Sequence, residues 1–127
     1  MIASILGRPV TLPRAVALRY PELESVRLRR GGLLPRIGGW ALRRSTVDAI
    51  TLRRTVYLAP HAALDPALLL HELRHMQQFF ESRTFPLKYL WESVRRGYAE
   101  NVYERDARRY AAQRLAATSA HTTSREA

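Results

Sequence analysis

Apolar residues recur along this chain with two periods, and the clearer one is helical. From Asp65 to about Ser82, Leu69, Leu73, Met76 and Phe80 fall on one ridge and Leu68, Glu72, His75 and Phe79 on a second. Only Leu70, Arg74, Gln77 and Glu81 are left for an outer face. A helix that is apolar around most of its girth is buried, so this segment is expected at the centre of the fold. Asp65 suits its N-cap and Pro66 its first turn.

The same spacing returns downstream. Leu87, Leu90, Trp91 and Val94 predict a core-facing stripe on a helix from Leu87 to about Arg96, with Gly97 as its C-terminal cap. A last helix is expected from Asn101 or Val102 to about Ala117, with Tyr103, Ala107, Tyr110 and Ala111 inward. Residues 118–127 are aperiodic and rich in Ser, Thr and Ala, which predicts a frayed tail beyond a single domain over 1–117.

Upstream the period shortens to two. Val26 and Leu28 alternate with Arg27 and Arg29 between Glu24 and Arg30, the mark of a strand with one wet face. Ala49–Leu52 and Thr55–Leu58, parted by Arg53-Arg54, predict one bent strand or a tight hairpin. Leu33–Ala41 contains Pro35 and Gly38-Gly39, so any strand there is short or at an edge. Trp40 and Leu42 are expected to be buried, and Arg43–Asp48 to form a loop. Pro13 opens a short helix from Arg14 to Tyr20 that Pro21 ends. The sum is an α+β fold, with short strands before one buried helix and further helices after it.

Composition narrows the class. A chain of 127 residues suits one core. With no cysteine, disulfides and thiolate metal sites are excluded, and a metal must be held by His, Asp, Glu or water. Met1–Leu6 is apolar, but Arg8, Pro9 and Pro13 follow at once, so no secretory signal is read there. No window approaches a membrane span, and a cytoplasmic protein is the expectation. The net charge is +10, from 21 basic residues of which only Lys88 is lysine. Such a charge draws nucleic acid or acidic surfaces. Yet the arginines are spread in pairs such as Arg29-Arg30, Arg53-Arg54 and Arg95-Arg96, without one aromatic-interleaved stripe, so nucleic-acid binding is not the expected function.

The central helix carries the chemistry. His71-Glu72-Leu73-Arg74-His75 reads H-E-x-x-H, which puts two imidazoles on one helix face, able to share a metal ion. Glu72 lies further round, placed to take a proton from a metal-activated water. Among leucines and phenylalanines, polar groups left unpaired cost roughly 1–3 kcal/mol each, a cost that a shared cation removes. A catalytic zinc takes three protein ligands, and the downstream candidates are Glu81, Glu92, Glu100, Glu104 and Asp106. Glu104 is the preferred third ligand, because Ala107 one turn on is small enough to let its helix approach. Glu100 is the runner-up. The competing role for Glu104 is a capping box with Asn101.

The run Leu69–Gln78, with Thr51 and Thr55–Leu58 before it and Gly97-Tyr98 and Asn101–Ala107 after it, resembles short zincin-like proteins of the gluzincin clan. The resemblance implies a minimal zincin fold, a small, twisted, mainly antiparallel sheet packed on the buried H-E-x-x-H helix, with one zinc ion on His71, His75 and Glu104, Glu72 as general base, and a peptide or protein substrate. It also implies a tyrosine that stabilises the transition state, with Tyr98, Tyr103 and Tyr57 as candidates. Many members carry an aspartate four residues after the ligand glutamate, as a partner for a histidine; here Arg108 stands there. So short a chain has no second domain to wall a cleft, so a protein partner is a candidate to complete it. The alternatives are a zinc domain without catalysis and a basic nucleic-acid-binding module.

Overall fold

The alternating segment does form a strand, but a shorter one than its pattern suggests. In the computed structural model, which describes residues 6–32 and 49–126 (121–126 for their backbone alone), Pro21–Ser25 coils into a 3-10 turn and β2 spans only Arg27–Arg30. Leu33–Ala41, with Trp40, and Leu42 and Arg43–Asp48, for which a short or edge strand, burial and a loop are expected, lie outside the described residues. The strands β1 (Arg8–Val10), β2, β3 (Ala49–Leu52) and β4 (Thr55–Leu58) lie in the order β1-β2-β4-β3. The outer pairings, β1 with β2 and β3 with β4, are antiparallel, whereas β2 and β4 run parallel, so the sheet is mixed. β3 and β4 are the tight hairpin, Leu52 opposite Thr55. Arg53 takes φ +56°, the left-handed conformation that a two-residue hairpin turn demands.

Val56 and Leu58 turn fully buried side chains onto the helical layer. At the end of β2, the Arg30 guanidinium donates to the carbonyls of Ala59, Pro60 and Ala62 and so shapes the connector from β4 to the central helix. α1 is a short helix over Arg14–Arg19, and α2, the central helix, spans Pro66–Glu81. Asp65 caps α2 by accepting from Ala67 N at 2.9 Å. Leu69, Leu73 and Met76 are buried as expected. Leu70 and Phe80 reverse their expected places. Leu70 is fully buried, because α2 is covered on more sides than its pattern allows for. Phe80 is exposed at the far end of the helix, with the Arg54 guanidinium 5.4 Å from the centre of its ring.

α3 (Phe85–Arg96) shows the largest correction. Leu87, Leu90, Trp91 and Val94, expected in the core, are all exposed. Polar anchors on the opposite side set the rotation of this helix. Asn101 Nδ2 donates to Tyr89 O and to Ser93 Oγ, Tyr89 donates to Glu104, and Phe85 is buried on the same side. Gly97 caps α3 with φ +81°.

α4 runs from Val102 to Glu126 and packs along α2 through Ala107 and Ala111, both buried. The helix therefore does not end near Ala117, and residues 118–126 continue it. No Gly or Pro interrupts this stretch, and loss of apolar period ends burial without ending a helix. Arg114 ties α4 to the N-terminal part by an ion pair to Glu22 at 2.9 Å and by stacking on Tyr20.

Candidate metal centre

One turn of α2 separates His71 from His75, so both rings project from the same face. Their Nε2 atoms are 3.2 Å apart, and the rings meet edge to face. The carboxylate of Glu104, on α4, closes the group. Its Oε2 lies 2.8 Å from His71 Nε2 and its Oε1 2.9 Å from His75 Nε2. Three side chains from two helices thus converge through their donor atoms, and Ala107 permits the approach. Glu104 does not complete a capping box. Asn101 accepts from Tyr103 N at 2.8 Å as N-cap, but its own N–H goes to Tyr98 O, and the Glu104 oxygens serve the histidines and Tyr89.

Glu72 is held apart from this contact. Thr51, on β3, donates its hydroxyl to Glu72 Oε2 at 2.7 Å, and both residues are buried. The ligating atoms of His71, Glu72 and His75 also lie within 4.8 Å of one another, so two carboxylates stand near one pair of imidazoles. Glu104 touches both ring nitrogens directly. Glu72 is anchored to the sheet.

His75 is oriented from behind. Its Nδ1 faces Gln78 Oε1 at 2.8 Å. Gln78 cannot offer its amide nitrogen instead, because Nε2 already donates to Tyr103 O and to Asp106 Oδ2. Asp106 is in turn gripped by Arg74 Nε at 2.6 Å. The chain Arg74–Asp106–Gln78 therefore fixes Nδ1 as the donor and leaves Nε2 pointing at His71 and Glu104. The position four residues after Glu104 plays no such part: Arg108 donates to Ala99 O.

The electrostatics call for positive charge. Burial alone would push the His75 imidazole down, yet the Glu104 hydrogen bond, the charges of Glu72 and Glu104 and the Gln78 hydrogen bond push it up to about 9. Burial would raise the Glu104 carboxyl, but its bonds to His71 and His75 hold it well below the usual carboxylate range. Burial and then the Glu104 charge push the Tyr89 hydroxyl up, so it stays a donor to Glu104 at 2.6 Å. Two imidazole nitrogens and a carboxylate this close must share protons or a cation. Around a tetrahedral zinc ion with bonds of about 2.0–2.1 Å, neighbouring ligand atoms stand roughly 3.4 Å apart. The 2.8–3.2 Å separations seen here fall a few tenths of an ångström short of that, so the donor set fits with a small outward shift.

A cleft of about 260 Å³ opens beside this group. All of β3, one of the two edge strands among the described residues, forms one wall, and Phe85, Tyr89 and Leu90 of α3 form another. Glu72, His75, Glu104 and Tyr98 also line it, while His71 does not. The other tyrosines proposed from sequence lie elsewhere. Tyr103 packs its ring on Phe85, and Tyr57 lies within β4, opposite Arg29 and Ile50; neither lines the cleft. Glu100 is exposed and is not among the cleft residues. Thr51, Gln78 and Tyr89 were missed by the sequence reading. Gln78 was within reach, lying three residues after His75 on the same face. Tyr89 was hidden because the apolar stripe of its helix pointed to the opposite side.

No family model, curated protein or solved structure matches this chain. Among the described residues no helix is long and apolar enough to cross a membrane.

The Gln78 support gives a direct expectation. Gln78→Leu should weaken zinc binding by about 10- to 100-fold while leaving the fold intact, measured by competition with a chromophoric chelator. Unchanged affinity would show that His75 needs no such support.

Proposed function

We propose that this protein is a zinc-dependent hydrolase of zincin type that cleaves peptide bonds. The observation that carries this is the meeting of His71, His75 and Glu104 from two helices, with a second carboxylate, Glu72, held beside them. His71, His75 and Glu104 would hold the ion, which supplies Lewis-acid polarisation of water and of a carbonyl oxygen. Glu72 takes a proton from the attacking water and returns it to the leaving amine. Thr51 occupies one Glu72 oxygen and leaves the other for that transfer. Tyr89 steadies Glu104 from the α3 side. Tyr98, which lines the cleft, is the tyrosine we assign to donate to a carbonyl oxygen. β3 favours an extended peptide, since an outer strand can pair with one along its length.

The test is cleavage of a mixed peptide library by zinc-loaded protein, followed by mass spectrometry. Cleavage that stops on chelation and returns with zinc is expected. Tight zinc binding with an uncut library would favour the alternative, a metal domain that presents a surface to a partner, and a strong fall in melting temperature on chelation would accompany it.

A further inference from the structure

Among the described residues nothing packs over the apolar face of α3, and apart from Leu90 that face lies outside the cleft. Leu87, Trp91 and Val94 are 71%, 63% and 82% exposed, and Leu90, half exposed, carries the face to the lip of the cleft. At 100° per residue these four side chains fall within an arc of about 100°, the apolar face of an amphipathic helix. Lys88 and Arg95 border one side of that arc on the same wheel. Arg83 is exposed just before the helix, and Arg96 just at its end. The one acid of the helix, Glu92, is half-buried against Arg96, so nothing negative stands among the exposed groups of α3.

We propose that this face docks α3 flat on an anionic phospholipid surface, with Leu87, Trp91 and Val94 entering the headgroup boundary and Lys88, Arg95 and Arg83 meeting the lipid phosphates. Leucine, valine and tryptophan on one side with lysine and arginine beside them is the composition that such adsorption requires. Charge decides among the other occupants. A second copy would bring two basic borders together. A nucleic acid would meet the phosphate-binding groups but leave leucine and valine without a partner, since only Trp91 can stack on a base. The net charge of +10 adds long-range attraction to the same surface. This docking needs neither the metal nor hydrolysis, so its failure would leave the proposed enzyme untouched.

The experiment is sedimentation of the full chain with vesicles of phosphatidylcholine, with and without about one-third phosphatidylglycerol. Binding is expected only with the anionic lipid, and Trp91→Ser with Val94→Ser together should reduce it by about tenfold or more. Both positions are exposed, and circular dichroism checks that the variant is folded. Brominated lipid should quench tryptophan emission in the wild type, and Trp91→Phe should abolish most of that quenching. No binding to anionic vesicles would overturn the proposal. So would binding that the double variant leaves unchanged, which would mean that the arginines adsorb alone. A wild-type dimer that the double variant converts to monomer would assign the face to a second copy instead.

Discussion

Glu72→Gln should leave the zinc content unchanged and lower peptide hydrolysis by about a thousandfold, within the range that a positioned general base contributes. The reason lies in the separate anchoring of the two carboxylates. Glu104 meets both ring nitrogens, while Glu72 is tied to Thr51 at 2.7 Å. Glutamine can still accept from Thr51, so the local packing survives, but it cannot take a proton from water. A variant that also loses its metal would make Glu72 a ligand. A variant with full activity would remove it from the reaction.

Ala107→Leu should be the most damaging of the small changes. Ala107 is fully buried where α4 lies along α2, one turn beyond Glu104. Three extra carbons have no room there, and overpacking of a tight core costs typically about 1–3 kcal/mol. For a chain of this size that corresponds to a fall in melting temperature of roughly several degrees. The same shift moves Glu104 away from His71 and His75, so zinc affinity should fall with stability. A variant with a lower melting temperature but full zinc affinity would show that the centre tolerates helix separation, and would weaken the link between core packing and the site.

The sequence made the centre far more legible than the surface. His71 and His75 are i and i+4 on one strongly apolar helix, so their shared face follows from helix geometry alone. Glu104 took more: it required that a small residue one turn later mark close helix packing, and Ala107 does so. The hairpin at Arg53-Arg54 is one of two readings of the sequence, and the antiparallel pairing of Leu52 with Thr55 decides between them. The orientation of α3 was not legible. Its apolar stripe is the strongest local signal in that segment, yet the hydrogen bonds of Asn101 and Tyr89 turn the other side inward. Those bonds join residues brought together by tertiary structure, and no local period encodes them. The length of α4 was misjudged for a related reason, since an exposed helix keeps its backbone hydrogen bonds without any apolar repeat.

Everything proposed for the centre rests on three side chains holding one cation. The most direct measurement is metal content after purification with added zinc and exhaustive dialysis, for the wild type beside His71→Ala and Glu104→Ala. About one zinc per chain in the wild type and little in either variant is the predicted result. A wild type that stays metal-free, or a Glu104→Ala protein that retains its zinc in full, would contradict it.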